Sequence, residues 1–241
     1  MILSRLHPIT EAVRSRPRQV EWVLFDSSRR DRRINELKAL CRERGVSVRY
    51  GERPALDRVA RPNQGAVARL AVRSYGEQED ALEGKRGDRL LLLLDEVQDP
   101  QNLGAVIRVA EGVGAKVVVP ERGSAPLSEA VEKSSAGAVE RVPVIRVTNL
   151  RRFIDLLKNE GFSVIGVDPE GQDIYKADLT GDIALVLGAE GRGMRRLVRQ
   201  GCDILARLPM RGALASLNVA TAAAAAGYEA LRQRSLPVEN P

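Results

Sequence analysis

The chain has 241 residues, of which 44% are hydrophobic, and it carries 38 Lys and Arg against 32 Asp and Glu. This length and composition are typical of a soluble globular protein with one large or two modest domains. No run of about eighteen apolar residues, the length that spans a bilayer as a helix, is present. The N-terminal segment MILSRLHPITEAVRSRPRQ lacks the apolar stretch and cleavage site of a secretory signal. We therefore expect a cytoplasmic protein without membrane-spanning segments.

The cysteines and the histidine limit the chemistry that the chain can perform. Cys41 and Cys202 are far apart and lack metal-ligand spacing, so we expect reduced, mostly buried thiols. His7 is the only histidine, and without it no histidine-based metal cluster or Ser-His-Asp triad can form. The sequence predicts no metal site.

The positive charge is concentrated at the N-terminus. Residues 1–73 hold 17 Lys and Arg against 8 Asp and Glu, residues 74–88 hold 2 against 5, and the remainder holds 19 against 19. Most of the N-terminal cations are arginines, whose guanidinium groups bind phosphate oxygens bidentately. This distribution favours a nucleic-acid partner for the N-terminal part. A solvated basic face without a partner is the alternative.

Residues 1–73 are predicted to form a small α/β domain. Apolar runs in this part predict strands at 19–26, 46–50 and 64–72. An amphipathic run predicts a helix at 32–45, which a glycine ends. The following segment, 74–88, is polar, contains glycine and lacks apolar periodicity. We interpret it as an exposed linker and place a domain boundary there.

Residues 89–241 are predicted to form a second, larger domain. Six apolar runs predict strands, at 90–95, 116–120, 141–147, 162–168, 183–188 and 204–209. Five helical stretches alternate with them, at 101–113, 126–137, 149–160, 191–200 and 216–232. Such alternation predicts an α/β fold with a mainly parallel sheet covered by helices.

Three loops follow predicted strands, where open α/β sheets bind their ligands. The first continues into a helix as QNLGAVIR and contains Asn102 and Arg108. In the second, GAEGRG, glycines on both sides of Glu190 let backbone N–H groups approach a ligand closely. Its spacing matches neither a Walker A loop nor a dinucleotide-binding loop. The third, MRGALASLN, places Ser216 and Asn218 before an alanine-rich helix.

In this order, the three loops resemble the three motifs of the SpoU-type RNA ribose 2′-O-methyltransferases, members of the SPOUT class of S-adenosylmethionine-dependent enzymes. The resemblance extends from about Leu90 to Arg234. The N-terminal portion, from LHPITEAVRS through NQGAVARL, is similar to the RNA-binding domain of the subgroup that modifies a guanosine ribose in large-subunit ribosomal RNA. The resemblance implies a C-terminal trefoil-knotted, mainly parallel sheet, a rarity among folds. It also implies a substrate RNA-binding domain at 1–73.

The resemblance further implies a site for S-adenosylmethionine. Matching positions assign the following residues to it: Val167, Gly188, Leu208, Met210, Ser216, Leu217 and Asn218. Glycine and leucine suit an apolar adenine slot edged by main-chain groups. Ser216 and Asn218 also have a purely structural interpretation, because both can cap the helix that follows them.

Catalytic roles are implied for five residues, namely Asn102, Arg108, Glu190, Ser216 and Asn218. In this class an arginine at the position of Arg108 is the proposed activator of the ribose hydroxyl. Deprotonating arginine near neutral pH requires a pKa shift of roughly six units, about 8 kcal/mol. We therefore expect Arg108 to remain a cation that holds the adjacent phosphate and stabilises developing alkoxide charge, while the proton passes to phosphate or water. Asn102 is expected to shape the loop or bind the ribose, and Glu190 to orient Arg108 or the loop.

The partners that the resemblance implies are RNA, with large-subunit ribosomal RNA as the substrate, and a second copy of the chain. The family's active site borrows groups across a two-fold interface, and the alanine-rich helix permits close approach of two copies. Two other functions stay open. A transfer-RNA ribose methyltransferase would share all three motifs, and a non-catalytic RNA-binding protein would need only the basic N-terminal domain.

Overall fold

The computed structural model describes residues 2–71, 74–212 and 216–235, with only the backbone of Arg18. The chain divides into two compact units. The first comprises Met1–Ser74 with Pro126–Glu129, and the second comprises Tyr75–Ala125 with Ala130–Pro241.

The first unit is a four-stranded sheet with three helices. Its elements in chain order are β1 (Ile2–Leu3), α1 (Leu6–Ser15), β2 (Val20–Asp26), α2 (Arg32–Glu43), β3 (Val48–Gly51), α3 (Arg53–Val59) and β4 (Ala66–Leu70). The strand order is β1-β4-β2-β3, in which β2 and β3 are parallel and the other neighbours are antiparallel. The three predicted strands and the predicted helix are present. The short β1 and the helices α1 and α3 were not among the predicted elements.

Apolar side chains on one face of this sheet make the core of the first unit. Ile9 and Val13 on α1, Ile34 on α2, and Val23 and Phe25 on β2 are all fully buried in one cluster. The helices supply this cluster from residues three or four positions apart, the spacing that faces one side of a helix.

The second unit is built on a six-stranded sheet. Its elements in chain order are β5 (Leu90–Asp95), α4 (Pro100–Val113), β6 (Lys116–Pro120), α5 (Glu129–Ser134), β7 (Val144–Val147), α6 (Leu150–Asn159), β8 (Ser163–Asp173), β9 (Ile183–Gly188), α7 (Arg196–Gly201), β10 (Ile204–Arg207) and α8 (Val219–Ser235). The strand order is β10-β8-β9-β5-β6-β7, and every neighbouring pair is parallel. This arrangement confirms the predicted α/β class, with a mainly parallel sheet and a small N-terminal α/β unit.

The central strand β5 shows why the parallel sheet forms. All six of its residues, LLLLLD, are buried, as expected for a strand covered on both faces. The following helix α4 begins at a proline, and the side chain of Asp99 accepts a hydrogen bond from the backbone N–H of Gln101 at 2.9 Å. It ends where Gly114 adopts a φ of +70°, so the chain turns directly into the next strand.

Some boundaries differ from those predicted. The helix expected at 191–200 begins only at Arg196, because Gly191 and Gly193 adopt φ angles of +73° and +67°, outside the helical region. The strand expected at 162–168 continues to Asp173 and pairs with β10 at Ile165 and Gly166 and again at Gln172 and Asp173, with a shift of register between the two stretches.

The segment 74–88, predicted as a linker, contributes to the second unit. A 3₁₀ helix at Gln78–Leu82 buries Ala81 in the core of that unit, and Gly76 forms a bridge with Ile145 of β7. A polar stretch can therefore pack through a few small or apolar residues. The third loop, MRGALASLN at 210–218, includes residues 213–215, which lie outside the described residues.

A buried ion pair joins the start of β5 to the start of β9. The carboxylate of Asp182 accepts hydrogen bonds from the backbone N–H groups of Gly87 and Arg89, both at 2.9 Å, and from Nη2 of Arg89 at 2.7 Å. The two side chains are 9% and 5% exposed. The hydrogen bond from the Arg89 side chain is the main reason that the pKa of Asp182 lies well below its usual range.

We expect Asp182→Asn to lower the free energy of unfolding of the second unit by about 3–5 kcal/mol, because Arg89 stays buried without its counter-charge. The native pKa of Asp182 is depressed, so its contribution is complete above the unfolded value of about 3.9 and is lost as pH falls below it. Urea unfolding between pH 7 and pH 3 should therefore show a weaker acid dependence in Asp182→Asn than in the wild type. Asp155→Asn, at a carboxylate 54% exposed, is the control, and an equal effect of both substitutions would contradict this account.

Candidate active site

Glycine makes the loop after β9 possible. A Cβ on Gly188 would lie 2.1 Å from the carbonyl carbon of Gly193 and 2.2 Å from the backbone nitrogen of Met194. The loop closes on itself through a hydrogen bond from the backbone N–H of Gly193 to the carbonyl of Ala189 at 2.9 Å. Any larger residue at position 188 would push the loop away from the end of its strand.

A fully buried carboxylate holds the far end of this loop. Asp95, the last residue of β5, accepts hydrogen bonds from the backbone N–H of Arg195 at 2.7 Å and from its Nε at 2.8 Å. Nη2 of Arg195 lies 2.6 Å from the same carboxylate. Sequence reasoning missed this pair. The available signal was an aspartate that ends a run of five leucines, where a buried charge requires a partner.

Asn102 in the first turn of α4, Glu190 in the loop after β9 and Asn218 before α8 form one hydrogen-bonded cluster. Nδ2 of Asn102 donates to Oε1 of Glu190 at 3.0 Å. Nδ2 of Asn218 donates to Oδ1 of Asn102 at 2.9 Å and also to Oε1 of Glu190. The side chain of Asn218 caps α8 as well, because its Oδ1 accepts from the backbone N–H of Ala220 at 2.9 Å. The capping interpretation of Asn218 is confirmed, and the same side chain belongs to the cluster, while its role in catalysis stays a prediction.

Arg108 does not join this cluster within the chain. It lies on α4 six residues after Asn102, which places it roughly 9 Å along the helix and about 120° around it. Its side chain is exposed and makes no hydrogen bond or ion pair with any residue that the structure describes. A hydrogen bond from Arg141, and more weakly the charge of Arg108, lower the pKa of Glu111.

A cleft of about 860 Å³ opens beside the loop after β9. Six of the seven residues assigned to the cofactor from the sequence line it, namely Val167, Gly188, Leu208, Met210, Ser216 and Leu217. Asn218, the seventh, is not among its lining residues and belongs to the cluster described above. The cleft thus brings together the middle of β8, the ends of β9 and β10 and the segment before α8.

Charged side chains that sequence reasoning missed also line this cleft. Arg199 on α7 donates from Nε to Oδ2 of Asp168 at 2.9 Å and from Nη2 to Oε2 of Glu170 at 2.7 Å. Burial opposes ionisation of Asp168, but the hydrogen bonds from Arg199 and from the backbone of Glu170 outweigh it, so the pKa of Asp168 lies below its ordinary value. No spacing in the sequence connects a strand residue with a helix residue thirty-one positions later.

A smaller cavity of about 220 Å³ shares a wall with the cleft. The shared residues are Ala189, Glu190, Arg192 and Val219, and the smaller cavity is also lined by Asn102 and by the carboxylates of Glu96 and Asp99. Glu190 and its amide partners therefore stand between two neighbouring cavities. Such a pair of cavities is suited to the transfer of a group between two bound molecules.

Residues 2–71, 74–212 and 216–235 contain neither a metal-binding cluster nor a membrane-spanning helix. No group of three or more His, Cys, Asp or Glu side chains there has the arrangement of a metal site. No helix in the same ranges is both long and apolar enough to cross a membrane. Cys41 and Cys202 are free thiols, and burial raises the pKa of each to about 11.

Two family models together match most of the chain. The model of the SpoU rRNA Methylase family matches residues 89–228, and the model described as RNA 2′-O ribose methyltransferase substrate binding matches residues 6–75. The chain belongs to the SpoU rRNA methylase family. The predicted family, the predicted enzyme class and the SPOUT fold are thereby confirmed.

Relatives and solved structures agree with this assignment. The 23S rRNA (guanosine-2′-O-)-methyltransferase RlmB of Pseudomonas syringae is 42% identical over 236 residues, which are 95% of this chain and 94% of that protein. The SpoU methyltransferase AviRb from Streptomyces viridochromogenes, in complex with the cofactor AdoMet, superposes with a TM-score of 0.61 at 27% identity, over 97% of this chain and 90% of that one. The A. aeolicus TrmH/SpoU tRNA modifying enzyme gives a TM-score of 0.56 at 27% identity, over 65% of this chain and 80% of that one.

We expect Asn218→Asp to lower the rate of methyl transfer at least about tenfold, equivalent to 1.4 kcal/mol or more in the barrier. The new carboxylate would still cap α8, but it would face Oε1 of Glu190 with like charge and lose both amide donations. Methyl incorporation into ribosomal RNA, measured beside the helix content from circular dichroism, separates the two effects. Asn149→Asp at the start of α6 is the matched control, because Asn149 caps its helix in the same way. Equal activity of the two variants would exclude a role for the cluster.

Proposed function

We propose that the protein transfers a methyl group from S-adenosylmethionine to the 2′-hydroxyl of a guanosine ribose in 23S ribosomal RNA. The observation that carries this proposal is the 42% identity with an RlmB enzyme over 95% of the chain, which includes both units. The solved tRNA-modifying enzyme of the same family covers only 65% of the chain. The ribosomal substrate is therefore favoured over a transfer RNA, and it makes the cytoplasm the place of the reaction.

The large cleft fits the cofactor in size and chemistry. Leu187, Leu208 and Leu217 supply apolar walls for an adenine, and Gly188 keeps the end of β9 open to main-chain contacts. When bound, S-adenosylmethionine supplies an electrophilic methyl group on its sulfonium. The residues assigned to it remain those lining the cleft, with Ser216 at the edge that adjoins the catalytic cluster.

The smaller cavity is the proposed place of the acceptor ribose. Glu190 stands in the wall between the two cavities, and Asn102 and Asn218 hold its carboxylate through hydrogen bonds. In this position, Asn102 and Glu190 orient the ribose hydroxyl toward the cleft, and Asn218 keeps both side chains in place. The hydroxyl proton passes to phosphate or water, because no histidine lines either cavity.

The proposed assembly is a homodimer through α4 and α8. These helices pack on each other closely enough that a Cβ on Gly112 would lie 2.7 Å from the hydroxyl of Tyr228. Their outer face carries Arg108 and the ring of Tyr228, which is 53% exposed. In a two-fold dimer, Arg108 of one protomer would serve the cavities of its partner, which accounts for its separation from the cluster on its own chain. There it would hold the target phosphate and stabilise the developing negative charge.

We divide the work between the units as predicted from charge. Residues 1–73 bind substrate RNA and residues 89–241 carry out methyl transfer. Residues 74–88, which were predicted as a linker, lead from the first unit into the second and pack there through Ala81. The model for RNA 2′-O ribose methyltransferase substrate binding, which matches residues 6–75, supports this division. A protein that only binds RNA would not require the cluster of Asn102, Glu190 and Asn218.

Ribose methylation mapped in RNA from cells that lack the protein tests the proposed function. We expect one guanosine of 23S ribosomal RNA to lose its 2′-O-methyl group and to regain it on expression of the wild type. Arg108→Ala should not restore the group, although its affinity for S-adenosylmethionine stays within a few fold of the wild type, because the arginine serves the RNA and the transition state. Arg152→Ala, at another exposed helix position, should restore it. Loss of methylation from transfer RNA alone would overturn the assignment.

Salt dependence of RNA binding tests the role of the first unit. Arg30, Arg33 and Arg42 are exposed and make no side-chain hydrogen bond or ion pair with described residues. Each phosphate contact contributes about 0.7–0.9 to the slope of log K against log salt concentration, so replacing all three by alanine should reduce the slope by roughly 2–3. The same replacement at three exposed arginines of the second unit, Arg122, Arg152 and Arg196, should leave it unchanged. Equal slopes for the two triple variants would refute RNA binding by the first unit.

A further inference from the structure

The wall of the large cleft has an apolar part and a charged part. The leucines and Met210 line one part, and the charged residues in its lining are Asp168, Glu170, Glu190, Arg192, Arg199 and Arg207. Glu190 already binds two amide groups, and Arg192 also borders the smaller cavity. The other four charged residues line the large cleft and not the smaller cavity, and they carry charges of both signs: Asp168, Glu170, Arg199 and Arg207.

The geometry of this group fixes one carboxylate at the cleft. Arg199 donates two hydrogen bonds to Asp168, from Nε to Oδ2 at 2.9 Å and from Nη2 to Oδ1 at 3.4 Å. The backbone N–H of Glu170 donates to Oδ1 of Asp168 at 3.0 Å. The Asp168 side chain is 12% exposed, whereas Glu170 is 80% exposed. Asp168 is thus held in one orientation, and Nη1 of Arg199 makes no hydrogen bond with a described residue.

A ligand with charge of both signs matches this arrangement. S-adenosylmethionine has an adenosine that requires an apolar slot and an amino-acid end with an ammonium and a carboxylate. Desolvating such an end is costly unless both groups meet opposite charge. An ammonium donates to a fixed carboxylate in a charge-assisted hydrogen bond, and a guanidinium donates to a carboxylate in the same manner.

We propose that Asp168 and Arg199 bind the amino-acid end of S-adenosylmethionine, Asp168 by accepting from its ammonium group and Arg199 by donating to its carboxylate. This inference rests on the proposed function, since it concerns the cofactor of that reaction. Arg199 has a second role as a positioning residue, because its Nε and Nη2 hold Asp168 and Glu170. Adenosine binding then depends on the leucines and Gly188, and recognition of the amino-acid end depends on the ion-paired group.

Two ligands that differ only at the amino-acid end test this division. S-adenosylhomocysteine has the complete end, and 5′-methylthioadenosine has the same adenosine and thioether without it. In calorimetry on the full chain, Asp168→Asn should weaken binding of S-adenosylhomocysteine by about tenfold or more, since a hydrogen bond to a charged group is lost. Binding of 5′-methylthioadenosine should change less than twofold. Arg199→Gln should show the same selective loss.

The controls distinguish failure of the proposed role of Asp168 from failure of the cofactor assignment. Asp178→Asn, at an exposed carboxylate whose pKa is lowered chiefly by a hydrogen bond from Thr180, lies outside the cleft and should affect neither ligand. Retained 5′-methylthioadenosine binding in Asp168→Asn demonstrates a folded cleft. Equal weakening of both ligands would mean that Asp168 contacts the ribose or maintains the cleft, and no change in either would mean that it contacts neither, so both results overturn the proposal. A wild type that binds neither ligand would refute the cofactor assignment itself.

Discussion

The buried carboxylate of Asp95 is the constraint on which the site depends. It ends the central strand of the parallel sheet with no exposed surface. Among the described residues, its hydrogen bonds come from Arg195 at the far end of the neighbouring loop. An unpaired buried charge is so costly that the loop must return to this point. Gly188 makes the return possible, because the chain passes within 2.1 Å of where its Cβ would be. The wall between the two cavities is therefore a consequence of satisfying one aspartate.

The third motif uses a single side chain for two purposes. Asn218 starts α8 by accepting backbone hydrogen bonds through its oxygen, and it joins two other loops by donating through its nitrogen. An amide is one of the few side chains that can do both at once. Aspartate or serine would cap the helix but could not make both donations. The residue that precedes the alanine-rich helix thus links the start of that helix to the cluster with Asn102 and Glu190.

Much of the fold could be predicted from the periodicity of apolar residues. The apolar lining of the cleft could be predicted from the resemblance to the family. The run LLLLLD reads as a buried strand without ambiguity, and the glycines and leucines at 188, 208 and 217 do line one cleft. The paired charges could not be predicted. Asp168 and Arg199 lie on different elements, and only the register of β8 against its neighbours brings them to one wall. The helix expected from 191 begins only at Arg196, because Gly191 and Gly193 adopt positive φ angles, a conformation that the pattern of residue types does not reveal.

Charge is distributed differently in the two units, and the proposed division between RNA binding and methyl transfer follows this difference. The cations of residues 1–73 exceed its anions by nine, whereas residues 89–241 carry equal numbers. Within the second unit, key arginines are held by buried carboxylates, as Arg89 is by Asp182 and Arg195 by Asp95. Such ion pairs fix the shape of the site, but because their charges cancel and are screened by salt, they attract a distant phosphate only weakly. Arg108 is different, because it makes no hydrogen bond or ion pair with a described residue. In the proposed function, Arg108 is the cation of this neutral unit that meets the RNA bound by the basic first unit.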